Sequence, residues 1–115
     1  MTRTIALFTD FGNQDIYVGQ LHAAAKRAEL GSPLVDLFHN VNPFDIRAGA
    51  SLLAAMLDYL PRDSIVVGVI DPGVGGERLP IAVELGERWL VGPDNGLFSR
   101  SIAWSTFEVH YWTLK

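Results

Sequence analysis

Ile65-Val66-Val67-Gly68-Val69-Ile70-Asp71-Pro72-Gly73-Val74-Gly75-Gly76 is the stretch that decides the fold. Six apolar residues run on without alternation and stop at a carboxylate followed by Pro and Gly. A short, unbroken, Val/Ile-rich run bounded by turn residues suits a strand covered on both faces of a sheet. Asp71 directly after such a run is costly unless it is paired or used.

Working outward, residues 4–8, 34–38 and 89–91 (the last with its end left open to extension) have the same character and read as buried strands. Residues 81–85 read as a further strand that pairs with 89–91 across a turn at Gly86 and Glu87. Two helices fall between the first three strands. Residues 15–29 carry Ile16, Val18, Leu21, Ala25 and Ala28 at helical spacing, with Asp15 as cap and Gly31 and Pro33 as stop. Residues 45–60 carry Ile46, Ala50, Leu53, Leu57 and Leu60 on one stripe, ended by Pro61. This strand-helix-strand-helix-strand order predicts an α/β domain with a mostly parallel sheet and right-handed crossovers.

Each strand empties into a polar loop. The loops are 9–15, 39–45, 71–78 and 92–96, and they contain Asp10, Asp15, Asp45, Asp71, Arg78, Asp94 and Asn95. In a parallel sheet, ligands bind beyond the carboxyl ends of the strands, so these loops converge on one edge. The glycine-rich 71–78 loop is not a phosphate cradle. It lacks the Gly-Lys-Ser/Thr ending of the P-loop and opens with a carboxylate. Carboxylates gathered there suit ribose hydroxyls and ammonium or sulfonium centres.

Plainer explanations stand beside these. Asp15 and Asp45 serve equally as helix caps, Asp10-Phe11-Gly12 as an ordinary turn, and Asp94-Asn95-Gly96 as a turn signal. Gly73, Gly75 and Gly76 suit positive φ in a tight turn, and Arg78 suits a structural ion pair with Asp71. His22 reads as a packed or solvated helix residue. His39 and His110 show no metal spacing, so no metal is assigned.

The chain has 115 residues, one domain's worth, with 49% hydrophobic and 19% charged residues, enough for a core and too apolar for disorder. Nine Lys and Arg against thirteen Asp and Glu give a net charge of -4, and no basic run is present. Nucleic acid and anionic membranes are therefore not expected partners. The absence of cysteine excludes disulfides and thiolate chemistry and fits a cytoplasmic setting. The first residues do not read as a signal peptide, and no apolar run reaches membrane-span length. Phe98, Trp104, Phe107, Tyr111 and Trp112 crowd the last stretch, where Phe107, Val109 and Tyr111 alternate like a strand just begun. That pattern leads us to expect an incomplete domain.

Thr9-Asp10-Phe11-Gly12 with Asp15 and Tyr17-Val18-Gly19 resembles the opening motif of the S-adenosyl-L-methionine (SAM) hydroxide adenosyltransferases, relatives of the fluorinase and chlorinase enzymes. Asp36-Leu37-Phe38-His39 with Pro43-Phe44-Asp45-Ile46 resembles their second motif. Residues 69–75 with Arg78 resemble the third, and Pro93-Asp94-Asn95-Gly96-Leu97 the fourth. The resemblance implies a three-layer, Rossmann-like N-terminal domain over residues 1–115, without the family's C-terminal β-rich domain. It implies hydrolysis of SAM to adenosine and methionine by water or hydroxide at the ribose 5′ carbon, with SAM as substrate and no other cofactor.

By the same resemblance Asp10 holds the ribose hydroxyls, Asp15 faces the methionine amino group and Phe44 walls the nucleoside. Asn95 belongs to the substrate-binding set, and Asp71 with Arg78 orients the water. Halogenating relatives carry another residue at the position of Asp71, which favours hydrolysis over halogenation here. Family members are longer and form homotrimers. Their third activating residue, a histidine, lies beyond this chain's last residue, so His22, His39 and His110 do not inherit its role. The expectation is that these residues are inactive alone. The alternatives are a nucleoside-binding or assembly module without catalysis, and a SAM-dependent halogenase.

Overall fold

A computed structural model describes residues 3–14, 16–28, 31–72 and 78–114. Asp15 and the 73–77 stretch, with Gly73, Gly75 and Gly76, therefore lie outside the described residues.

The strands are β1 (Ile5–Thr9), β2 (Leu34–Phe38), β3 (Ile65–Val69), β4 (Pro80–Leu85), β5 (Arg88–Pro93) and β6 (Val109–Thr113). The helices are α1 (Tyr17–Ala28), α2 (Ile46–Met56) and α3 (Ser99–Ala103). One mixed sheet runs in the order β2-β1-β3-β5-β4-β6. The strands β2, β1, β3 and β5 are mutually parallel, while β4 runs antiparallel to both β5 and β6. The expected hairpin forms between β4 and β5, with Gly86 at a φ of +61° in its turn.

The core lies on one face of the sheet. Ala6, Phe8, Val66, Leu90 and Val83 point there and meet Leu53 and Leu57 from the second helical segment and Leu97 and Phe98 from the approach to α3. Gly49 lets α2 settle closely on the sheet: a Cβ there would come within 2.4 Å of Ile70 Cδ1. Asp45 caps α2 by accepting the Ala48 N–H at 3.0 Å, as its position in the sequence suggests. The α-helix ends at Met56 and tightens into a 3₁₀ turn over Leu57–Tyr59, short of the expected continuous helix to residue 60.

The opposite face is more thinly covered. The α1 stripe of Val18, Leu21 and Ala25 is only half-buried, and Ile16 is 65% exposed. β1 is buried along its whole length, as expected, but β2 is an edge strand and half-exposed, contrary to the expectation that it is covered on both faces. Ile65, Val67, Val69 and Val91 are likewise only half-buried. The strand read near the C-terminus forms as β6, but it begins at Val109, leaves Phe107 outside and is largely exposed rather than alternating in burial. The five-residue α3 has no periodic signal long enough to reveal it.

Candidate active site at the carboxyl edge of the sheet

β1 leaves toward β2 on one side and the chain returns to β3 on the other, so the strand order reverses direction between β1 and β3. In open α/β sheets such a switch point opens a crevice beyond the carboxyl ends of the two strands. Thr9 pairs with Val69 across it. Asp10 therefore follows one rim and Asp71 the other, two residues beyond Val69. The two carboxylates singled out from sequence thus follow adjacent parallel strands at the same edge of the sheet.

Asp10 Oδ2 accepts the backbone N–H of Phe44 at 2.6 Å. Phe44 has a φ of +64°, a left-handed conformation that is costly for an aromatic residue, and its side chain is 64% exposed. An exposed aromatic held in strained backbone beside a carboxylate is the kind of outlier that points to a binding role. Asp10 and Phe44 are thus one unit.

Asp71 accepts a hydrogen bond from the Arg78 guanidinium in an ion pair. The side chains are 12% and 20% exposed, respectively. Among the described residues, Arg78 Nε is buried without a hydrogen-bond partner. The ion pair foreseen as the plain explanation of Asp71 is real, but it does not exhaust the donors of Arg78.

Asn95 differs from the other site residues. Its Nδ2 donates to the Ile70 carbonyl at 2.7 Å and its Oδ1 accepts the Leu97 N–H at 3.2 Å. The amide ties the end of β3 to the loop after β5 and so braces the residue before Asp71. Beside it, Ile46, Arg47, Asn95, Gly96, Ser99 and Arg100 line an open cleft of about 380 Å³. A groove of about 450 Å³ walled by Leu85, Arg88 and Phe107 lies at the opposite end of the sheet, away from Asp10 and Asp71.

Sequence reasoning missed the histidines. His39 is 3% exposed; its Nδ1 lies 2.6 Å from Thr9 Oγ1 and its Nε2 lies 2.7 Å from Asp36 Oδ1. His22 is not merely packed or solvated: its Nε2 reaches the same Asp36 oxygen at 2.8 Å, tethering α1 to β2. Burial opposes ionisation of Asp36, but the hydrogen bonds from His39 and His22 outweigh it and hold the carboxyl below its ordinary range. The available signal was Asp36 and His39 three apart at the end of a strand. Among the described residues, no group of three or more His, Cys, Asp or Glu is arranged to hold a metal ion, and no helix is long and apolar enough to cross a membrane.

Residues 5–115 match the family described as the SAM hydroxide adenosyltransferase N-terminal domain. The chain belongs to this family. A Thermus thermophilus protein named (R)-S-adenosyl-L-methionine hydrolase is 42% identical over 102 residues, covering 89% of this chain and 39% of that protein. A Methanocaldococcus jannaschii protein of the same name is 41% identical over 100 residues, covering 83% and 38%. A crystal structure of a conserved hypothetical protein from Thermus thermophilus superposes with a TM-score of 0.87 at 38% identity, covering 99% of this chain and 47% of that one. An uncharacterised conserved Thermotoga maritima protein gives 0.88 at 29% identity, covering 97% and 43%. The chain thus spans about two-fifths of the length of these SAM hydrolases.

Proposed function

We propose that this chain forms the nucleoside-handling part of a protein that hydrolyses SAM to adenosine and L-methionine. The observation that carries the reading is the Asp71–Arg78 pair at the end of β3, across the switch point from Asp10, with an Arg78 N–H that is buried and has no hydrogen-bond partner among the described residues. Membership in a family whose relatives are named SAM hydrolases supports SAM as the substrate.

The oxygen of water or hydroxide attacks the ribose 5′ carbon as the carbon–sulfur bond breaks. The bonding pair passes to the sulfonium, which leaves as the neutral thioether of methionine, so no acid is needed on that side. A water's surplus proton passes by way of Asp71 to solvent. The protein's work is to hold the ribose, aim the oxygen and exclude bulk water.

Asp71 accepts from the attacking water, and Arg78 fixes the orientation of that carboxylate. Asp10 accepts from the ribose hydroxyls while its Oδ2 keeps Phe44 in place, and Phe44 lies against the nucleoside. Asp15 faces the methionine ammonium. Asn95 belongs to the substrate-binding set by bracing the end of β3. No metal or cofactor other than the substrate takes part. The adenine-contacting β-rich domain and a further activating histidine come from outside these 115 residues, in a cytoplasmic homotrimer. A second reading is a nucleoside-binding or assembly module without catalysis; the match to two-fifths of the relatives' length favours it for these residues alone.

The test is to incubate the protein, together with any sequence its reading frame carries beyond Lys115, with SAM and follow adenosine. Adenosine release abolished by Asp71→Asn supports hydrolysis, and none above a boiled control overturns it. A halide-dependent 5′-halogenated nucleoside would establish halogenation instead. Adenosine binding to the 115-residue chain without turnover identifies the module.

A further inference from the structure

Thr9, His39 and Asp36 form a line of hydrogen bonds behind the Asp10 loop, running from the buried Thr9 and His39 out to the exposed Asp36 on the edge strand β2, and none of the roles proposed above uses it. The line begins at the loop itself. Phe11 N–H donates to Thr9 Oγ1 at 3.1 Å, and Thr9 Oγ1 lies 2.6 Å from His39 Nδ1. His39 Nε2 lies 2.7 Å from Asp36 Oδ1. The His39 backbone closes the circuit, its carbonyl accepting the Gly12 N–H at 2.7 Å. Asp10 therefore sits between two anchors, Thr9 before it and the Phe11–Gly12 pair after it, and both anchors run to His39.

The chemistry fixes most of the directions. An ionised Asp36 can only accept, so His39 Nε2 carries a proton. Thr9 answers His39 Nδ1 in either state. Its hydroxyl donates to a bare nitrogen or accepts from a protonated one, and a second lone pair remains for Phe11. Thr9 is 0% exposed, so its hydroxyl cannot reach a substrate and the line is not a nucleophilic triad. His39 is nearly as buried at 3%. A buried polar pair such as Thr9 and His39 is costly unless both members are satisfied, and satisfied it holds its neighbours rigidly; Asp36 satisfies His39 from the rim of the sheet.

We propose that His39 is a positioning residue: with Thr9 and Asp36 it fixes the backbone on both sides of Asp10 and thereby sets the affinity of the site for the ribose of a nucleoside. The proposal rests on the reading of Asp10 as the ribose-binding carboxylate. His22 joins the same Asp36 oxygen from α1, so the helix over this face is tied to the same line.

The test uses the protein, with any sequence its frame carries beyond Lys115, and two substitutions at Thr9. Thr9→Val keeps the shape and removes the hydroxyl, whereas Thr9→Ser keeps the hydroxyl and removes a methyl group. A role in packing alone predicts that Ser is the more harmful of the two. Positioning predicts the reverse: Thr9→Val weakens adenosine binding by about tenfold and Thr9→Ser by less than about threefold. Two measurements need no ligand. Amide exchange of Phe11 and Gly12 should quicken in Thr9→Val and not in Thr9→Ser, and nitrogen NMR should find His39 Nε2 protonated in the wild type. An unprotonated Nε2, or unchanged Phe11 and Gly12 exchange in a folded Thr9→Val, overturns the proposal. A wild-type chain that shows these signatures but binds no adenosine keeps the backbone clamp and rejects the ribose role of Asp10.

Discussion

The Asp10 carboxylate holds the Phe44 backbone N–H at 2.6 Å while Phe44 occupies a left-handed conformation at a φ of +64°. A candidate ligand group and a candidate ligand wall are thus mechanically one. The loop after β1 dictates where the loop after β2 presents its aromatic ring. Asp10 has this structural task whatever else it binds, so its substitution alone cannot separate the two roles.

Phe44 separates them through its backbone. Glycine is ordinarily less stable than alanine, but at positive φ the order reverses. Phe44→Gly should therefore be more stable than Phe44→Ala by about 1 kcal/mol, read from urea unfolding midpoints. Both variants should lose adenosine affinity, because both lose the exposed ring. Equal stabilities, or alanine the more stable, would show that the left-handed conformation at Phe44 carries no strain.

Asn95 should behave as a brace. Asn95→Ala leaves the Ile70 carbonyl and the Leu97 N–H without their side-chain partners, which costs about 2 kcal/mol in unfolding free energy. The loss should also appear as faster amide exchange at residues 70–72 (apart from Pro72), beside Asp71. A variant of unchanged stability and exchange would leave Asn95 a surface turn residue.

Asp36 gives an acid limb of known sign. Its folded pKa is depressed below the ordinary 3.8. Its contribution is therefore present above that value and lost as pH falls through the depressed one. The urea midpoint of the wild type should exceed that of Asp36→Asn at pH 6, and the gap should narrow as the pH is taken below about 4. A gap independent of pH would mean that Asp36 is not ionised against His39 and His22.

His110 has the opposite sign. A hydrogen bond to Glu108 chiefly raises its pKa above 6.5; burial opposes this and Glu84 adds to it. The link from β6 to β4 through Glu84 is therefore fully present below 6.5 and lost as pH rises through the raised value. An NMR titration of His110 should show a midpoint above 6.5 that falls in Glu108→Gln. A midpoint at or below 6.5 in the wild type would remove the link.

The sheet was legible because its strands are short apolar runs closed by turn residues, as at Ile65 to Asp71. The convergence of Asp10 and Asp71 followed from that order alone. The end of α2 was not legible: Leu57 and Leu60 continue the apolar stripe, yet the backbone tightens to 3₁₀ before Pro61. Nor was the thin cover of β2, since exposure depends on edge position and not on residue type. The Thr9–His39–Asp36 line stayed hidden because it joins side chains from two strands and a loop. Its register depends on an irregularity between Leu7 and Phe8 in the pairing of β1 with β2. Asp36 and His39 three apart hint at an interaction; nothing in the chain announces Thr9 as the third member.

The central claim is that Asp71, oriented by Arg78, works on the water that attacks SAM. The most direct measurement is the rate of adenosine formation from SAM by the protein, with any sequence that follows Lys115 in its frame, compared between wild type and Asp71→Asn under conditions where both are folded. The account predicts adenosine from the wild type and a fall of about a hundredfold or more in the variant, in the range expected for losing a group that handles the reacting proton. Equal rates in the two proteins would contradict it.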